Sequence, residues 1–153
     1  MIRKAKRQLT IFATIFLGTI AVAEENVPAL ERWQADPMTV FSADEIAIED
    51  FLWLARPVVI FATSPNDPRF TTQLEELLNA PEDVMERDIV LITDTEPNGK
   101  SDLRTELRPR DFHLVLIGKD GQVKLRKPRP WDARELSRVI DKMPMRKREL
   151  SAE

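Results

Sequence analysis

Residues 57–62 read PVVIFA, and the next six residues, 63–68, read TSPNDP. An unbroken run of apolar and β-branched residues is typical of a strand that is buried on both faces of a sheet. The pair Asp67-Pro68 is typical of a helix start, because a carboxylate can cap free backbone N–H groups and proline suits the first helical position. This stretch therefore predicts a central strand, a polar loop and a helix, the beginning of an α/β fold.

Further elements follow this β-α unit along the chain. The helix after Asp67 places four apolar residues on one face: Phe70, Leu74, Leu77 and Leu78. Strands are predicted at 88–93, 112–117 and 122–127, and helices at 100–107 and 132–143. The order β-α-β-α-β-β-α predicts a mixed four-stranded core sheet. The alternation favours parallel crossovers, and the Asp120-Gly121 turn predicts an antiparallel hairpin with a charged edge strand.

The N-terminus has the three parts of a secretory signal peptide. A basic patch (Arg3, Lys4, Lys6 and Arg7) precedes the apolar run 9–21, and Ala21-Val22-Ala23 resembles a cleavage site. The run is shorter than the roughly 20 residues of a spanning helix, which leaves an uncleaved membrane anchor as the alternative. We expect an exported protein, periplasmic or secreted, that does not span a membrane once the signal is removed.

We expect four segments in the 153 residues. They are a signal peptide (1–23), an N-terminal arm with a short helix (24–55), the α/β domain (56–146) and a flexible tail (147–153). Within the arm, 38–41 has the character of a short strand, and Ser42 and Glu45 have the spacing of a capping box.

The composition excludes several chemistries. The chain has no cysteine and one histidine, so disulfides, thiolate nucleophiles and zinc sites built on cysteine or several histidines are excluded within one chain. The acidic stretch 94–99 lacks the glutamate that closes a calcium loop. We therefore predict no cofactor and no metal site. No motif indicates nucleic-acid binding.

Three stretches carry a resemblance to known proteins: 57–70 (PVVIFATSPNDPRF), 110–127 (RDFHLVLIGKDGQVKLRK) and 130–144 (PWDARELSRVIDKMP). They resemble a domain-of-unknown-function family of small exported bacterial proteins, related to a domain of animal sushi-repeat extracellular proteins. The resemblance implies a thioredoxin- or peroxiredoxin-like fold over about Arg56 to Met143. It implies little chemistry, because no function is firmly attached to the bacterial members.

The sequence departs from thioredoxins at the active site. The loop 63–68 stands where thioredoxins carry Cys-x-x-Cys, and the cis-proline before the third core strand has no counterpart, with His113 near that place. Thiol redox chemistry is thereby excluded. The same loop could still bind an anion or a polar ligand at a helix N-terminus. Candidate ligand contacts are Thr63, Ser64, Asn66, Arg110 and His113, although each also has an ordinary structural explanation.

The C-terminal part is unusually basic. Residues 119–148 contain 11 basic and four acidic side chains, in a protein of formal net charge −3. Such asymmetry can mark a surface for an anionic partner, or the cations can pair with acidic segments of the same chain. The residues expected to form this surface are Lys124, Arg126, Lys127, Arg134 and Arg138.

Two functional hypotheses follow. The first is a non-catalytic, exported module that binds a protein or an anionic envelope component. The second is an enzyme with a remade, cysteine-free active site around Thr63, Ser64, Asn66, Arg110 and His113. Convergence of these five side chains on one concave pocket would favour the enzyme, and scattered, solvated side chains would favour the binding module.

Overall fold

The computed structural model describes residues 27–152. The expected signal peptide, residues 1–23, lies outside the described residues, as does the start of the arm. The described part contains a five-stranded sheet with helices on both faces. The four predicted core strands are present, and the short strand expected near 38–41 joins them as a fifth.

The strands are β1 (Val40–Ser42), β2 (Arg56–Phe61), β3 (Ile89–Asp94), β4 (His113–Ile117) and β5 (Val123–Lys127). Their order across the sheet is β1-β3-β2-β4-β5. β1, β3 and β2 run parallel to one another, whereas β4 runs antiparallel to β2, and β5 runs antiparallel to β4. The predicted PVVIFA strand is thus central, and the predicted basic strand lies at an edge.

The helices are α1 (Ala29–Ala35), α2 (Pro68–Leu78), α3 (Pro81–Glu86), α4 (Asp102–Leu107), α5 (Ala133–Asp141) and α6 (Pro144–Leu150). The predicted caps are formed, since the side chains of Asp67 and Asp132 accept hydrogen bonds from the N–H groups of Arg69 and Arg134. Ser42 and Glu45 form the predicted capping box, although the helix it starts is a single 3₁₀ turn.

Two apolar cores lie on opposite faces of the sheet. The alternating residues of β2 divide between them, with Val58 and Ile60 in the first core and Val59 and Phe61 in the second. The first core packs under α2, α3 and α5, and the second under α1, two 3₁₀ turns and α4. A strand that feeds both cores has no solvent face, which explains its unbroken apolar sequence.

The direction of β4 differs from the predicted parallel crossover. The chain leaves β3 at Asp94 and returns at His113, which lies opposite Phe61 at the end of β2. Strands β2 and β3 end at the same edge, so β4 starts where β3 ends. The intervening helix α4 has six residues and spans about 9 Å. This short helix does not run back along the sheet, and β4 therefore begins at the end of the sheet where β3 finishes.

The α2 helix uses one predicted apolar residue differently. Phe70 and Leu77 are buried, but Leu78 is 40% exposed. Gln73 is buried in its place, and its side-chain amide exchanges hydrogen bonds with the backbone N–H and carbonyl of Trp131. A buried polar side chain that is bonded to backbone in this way ties α2 to the segment before α5.

Both end segments contain helices that pack on the domain. In the arm, α1 buries Trp33, whose Nε1 donates to the carbonyl of Ile89 at 3.1 Å. At the other end, residues 147–150 belong to α6, where a flexible tail was the expectation. Glu149 of α6 accepts two hydrogen bonds from Arg56, at 2.9 and 3.0 Å. This contact joins α6 to the start of the central strand β2.

Glu149 and Arg56 belong to a larger cluster at the amino ends of β2 and β3, which we call the amino-end network. Its members are Arg56, Arg87, Lys119 and Arg146 with Asp83, Glu86, Asp88, Asp141 and Glu149. Arg56 is 1% exposed. Most members contact more than one opposite charge, so the network joins α3, α5, α6 and the sheet.

Candidate functional site

The carboxyl ends of β2 and β3 form the edge where thioredoxin-like proteins place their chemistry, and the loop 63–67 lies there. The carboxylate of Asp67 caps α2 through the N–H of Arg69 at 2.9 Å and pairs with the Arg69 guanidinium at 2.7 Å. Ser64 Oγ accepts from the N–H of Asn66 at 3.1 Å. Asp67 therefore occupies the place that an external anion would take. Hydrogen bonds from Arg69 lower the pKa of Asp67 and keep it ionised.

A buried ion pair between Arg104 and Asp94 lies at the same edge. Arg104 Nη2 donates to Asp94 Oδ1 at 2.7 Å and to the carbonyl oxygens of Ala62 and Asp94 at 2.9 Å each. Ser101 Oγ donates to Asp94 Oδ2 at 2.6 Å. Burial raises the pKa of Asp94, but the hydrogen bonds from Arg104 and Ser101 outweigh it and hold the pKa below its ordinary value.

This pair has a structural consequence. By binding the carbonyl of Ala62 together with the carbonyl and carboxylate of Asp94, Arg104 holds the ends of β2 and β3 against the start of α4. The side chain of Asp94 is 3% exposed. Its carboxylate is occupied by these contacts and is not free to act as a ligand or as a general base.

His113 lies at the same edge, on the second-core face, in register with Phe61. Its Nδ1 is buried and has no hydrogen-bond partner among residues 27–152. Burial, followed by the positive charges of Arg126 and Arg110, lowers the pKa of His113, and Asp111 opposes the shift. The imidazole is therefore neutral at pH 7.

The structure brings the five candidate residues to one edge without enclosing them. Arg110 and His113 are close enough to interact electrostatically, and Arg69 lies over the ring of Phe112, 5.7 Å from its centroid, which brings the loop 63–67 near β4. Thr63, Asn66 and Arg110, however, are exposed. This is an open edge with solvated polar side chains, and it offers no nucleophile paired with a base among the described residues.

The predicted basic surface is divided by its contacts. Lys124 pairs with Asp120 at 2.6 Å, Arg126 donates to the carbonyl of Leu107 at 2.6 Å, and Lys127 lies over the ring of Trp131 at 4.3 Å. Arg134 and Arg138 are exposed on α5, where they line one shallow depression together with Asp132 and Glu135. The predicted five-residue patch is thus not one uniform face.

Charge pairing within the basic segment 119–148 is incomplete. Three of its cations, Lys119, Lys124 and Arg146, pair with carboxylates. Within residues 27–152, no carboxylate lies at ion-pair distance from the other eight. Intramolecular pairing therefore accounts for only part of the basic segment. The eight cations are Arg126, Lys127, Arg129, Arg134, Arg138, Lys142, Lys147 and Arg148.

Residues 47–149 match the family described as "Domain of unknown function (DUF4174)". The chain belongs to the DUF4174 family. No curated protein matches the sequence.

The fold of this DUF4174 protein is similar to that of a peroxiredoxin. The solved structure of the reduced 2-Cys peroxiredoxin from Plasmodium vivax superposes with a TM-score of 0.53 at 14% sequence identity. The alignment covers 69% of this chain and 90% of that chain. At this identity the likeness shows the fold alone. The DUF4174 chain has no cysteine, so it has the thioredoxin-like frame without a thiol.

Residues 27–152 of the DUF4174 protein also meet the requirements of neither a metal site of three or more side chains nor a membrane-spanning helix. No group of three or more side chains of the types that hold metal ions is assembled there. No helix in the same range is long and apolar enough to cross a bilayer.

The most buried polar residues of the edge were missed by sequence reasoning. Ser101 and Arg104 have helix-cap spacing, which the sequence shows, but their bonds to Asp94 depend on how α4 folds back over β3. An arginine in a short helix gives no signal of burial. The available hint was Asp94 at the end of an apolar strand.

Proposed function

We propose that this DUF4174 protein is an exported, non-redox module that binds an anionic partner through its basic segment, residues 119–148. The partner is an anionic component of the cell envelope or an acidic protein surface. The observation that supports this most directly is the set of eight cations without a carboxylate partner within residues 27–152. Cations that the chain does not neutralise remain available to an external anion.

The contacts of the carboxylates at the carboxyl edge also favour a binding role over a catalytic one. Asp94 and Asp67 are both held by arginines, at 2.7 Å in each case. Thr63 and Asn66, in the loop beside them, are exposed. Catalysis requires a positioned nucleophile or a general base, and both of these edge carboxylates are bound in structural contacts.

Export rests on the order of the basic patch, the apolar run 9–21 and Ala21-Val22-Ala23. Sequencing the N-terminus of protein recovered from an expressing bacterium tests it. A mature chain that starts at or within two residues of Glu24 is expected. Full-length chain in the membrane fraction would contradict cleavage and favour the anchor.

The binding proposal is tested by retention on vesicles that contain phosphatidylglycerol and, separately, on immobilised polyglutamate. Retention on at least one matrix should fall steeply with salt, because screening shortens the reach of exposed charges. The double variant Arg134→Glu/Arg138→Glu should lose retention. The control Lys100→Glu/Arg108→Glu changes two exposed cations outside the segment and should retain it.

The outcomes separate the two sources of anion. Retention on vesicles alone indicates a lipid headgroup, and retention on polyglutamate alone indicates an acidic protein surface. Absence of retention on both at low salt would contradict the proposal. So would equal losses in the two double variants, because the attraction would then not belong to the basic segment.

The second candidate is an enzyme at the carboxyl edge. The observation in its favour is His113 Nδ1, which is buried and unpartnered among the described residues. If the carboxyl edge is an active site, the wild type should convert a substrate, and His113→Gln should abolish that activity. If the protein is a binding module, His113→Gln should be retained on the anionic matrix like the wild type.

A further inference from the structure

A second surface lies away from the basic segment's helices, where the 3₁₀ turn 48–51, α4 and the β4–β5 hairpin meet. A cleft of about 200 Å³ opens there. Its lining combines apolar side chains, among them Leu103, Leu107 and Ile117 of the second core, with the polar side chains of Glu49, Glu106, Asp120 and Gln122. Pockets for small-molecule ligands are typically about 300–1,000 Å³, so this cleft is suited to one side chain.

The segment beside the cleft exposes large apolar side chains. Leu52 lines the cleft, and the next two residues, Trp53 and Leu54, are 65% and 45% exposed. Val123, on the hairpin side of the cleft, is 40% exposed. Clustered exposed apolar residues commonly mark interaction surfaces.

Trp53 is also held in a strained conformation. Its φ is 65°, in the left-handed region that bulky residues avoid. Its N–H donates to the carbonyl of Lys119 at 2.7 Å, which fixes the segment against the hairpin. Strained backbone that the surroundings enforce clusters at ligand sites. Here the strain accompanies an aromatic side chain presented to solvent.

The charged side chains that line the cleft are acidic, and the nearby guanidinium of Arg126 donates to the backbone carbonyl of Leu107 at 2.6 Å. Glu49 and Glu106 line it and are exposed, and neither has a cation at ion-pair distance within residues 27–152. Asp120 also lines it, but it already pairs with Lys124. An occupant that suits this surface combines an apolar side chain with positive charge.

We propose that this cleft binds a segment of a partner protein in which an apolar side chain stands next to lysine or arginine. The apolar side chain packs against Leu52 and Val123, and the cation meets Glu49 and Glu106. The exposed Trp53, which follows Leu52 in the chain, is available to pack on the same segment. This surface has the opposite charge to the eight unpaired cations. The inference goes beyond the proposed function and does not depend on it.

The test uses calorimetric titration of the mature protein with an acetylated and amidated peptide, Leu-Lys repeated three times. A Gly-Lys peptide of the same length and charge is the matched probe. The wild type should bind the Leu-Lys peptide at least tenfold more tightly than the Gly-Lys peptide. Glu49→Gln/Glu106→Gln should weaken Leu-Lys binding at least tenfold, and Trp53→Asn should do the same.

Asparagine is chosen because it tolerates a positive φ, so the backbone of the variant is not strained further. The control Glu75→Gln/Glu76→Gln removes two exposed charges from α2 and should bind within twofold of the wild type. Equal affinity for the two peptides, or equal losses in the two double variants, would overturn the proposal. A wild-type dimer that Trp53→Asn converts to monomer would also overturn it, by identifying a second copy as the occupant.

Discussion

The two ends of the sheet hold buried arginines in different ways. At the amino end, Arg56 is one member of a network in which Glu149 also contacts Lys119 and Arg146, and Asp88 also contacts Lys119. At the carboxyl edge, Arg104 is the only cation at ion-pair distance from Asp94 within residues 27–152. The difference is redundancy. A network can lose one member and keep its charges paired, whereas an isolated buried pair cannot.

The largest expected effect is therefore at the carboxyl edge. Arg104→Met leaves the Asp94 carboxylate buried without its cation, and we expect the free energy of unfolding to fall by about 3–5 kcal/mol. Urea denaturation measures it. The control Arg108→Met changes an exposed arginine at the end of the same helix and should stay within about 0.5 kcal/mol of the wild type.

A double variant sharpens this result. Asp94→Asn/Arg104→Met removes both charges, and it should recover part of the stability lost in Arg104→Met, since the buried charge is gone. If the loss in the double variant equals the sum of the losses in Asp94→Asn and Arg104→Met, the two residues are not coupled as described.

A smaller effect is expected at the amino end. Arg56→Met leaves Glu149 and Asp88 in contact with Lys119, so the loss should be about 1–3 kcal/mol, in the range of charged hydrogen bonds. Denaturation under the same conditions gives the comparison. A loss larger than that of Arg104→Met would mean that the network is not redundant.

The pH dependence between 5 and 7 should come from His113, the only histidine. Its pKa is lowered by burial and by Arg126 and Arg110, with Asp111 opposing. As the pH falls through the ordinary pKa of about 6.5, the unfolded chain therefore binds a proton before the folded one does. The free energy of unfolding should fall as the pH falls from 7 to 5, and His113→Leu should flatten this slope. An unchanged slope in that variant would assign the dependence elsewhere.

The smallest effect is expected from the exposed residues of the carboxyl edge. Thr63→Ala, Asn66→Ala and Arg110→Ala should each change the free energy of unfolding by at most about 0.5 kcal/mol, because these side chains are solvated. A thermal melt of each variant checks this. A substantially larger loss would show that the edge is packed more tightly than its exposure indicates.

The sequence predicts local structure well where spacing determines it. The buried run in β2, the cap at Asp67 and the turn at Asp120-Gly121 are all confirmed. It does not predict the direction of β4 or helix α6. Those depend on contacts between distant segments, such as Arg56 with Glu149, 93 residues apart.

Amide chemical-shift mapping compares the basic segment and the carboxyl edge in a single titration. The ligand is a soluble short-chain phosphatidylglycerol or oligoglutamate, whichever corresponds to the matrix that retains the protein. We predict shifts that saturate with ligand in β5, α5 and α6, around Arg126, Arg138 and Lys147, while residues 63–66 stay unchanged. A shift at His113 would accompany those at Arg126, because the charge of Arg126 acts on its imidazole. Shifts confined to the loop 63–66 and to His113 would contradict the account, because the carboxyl edge would then be the binding site.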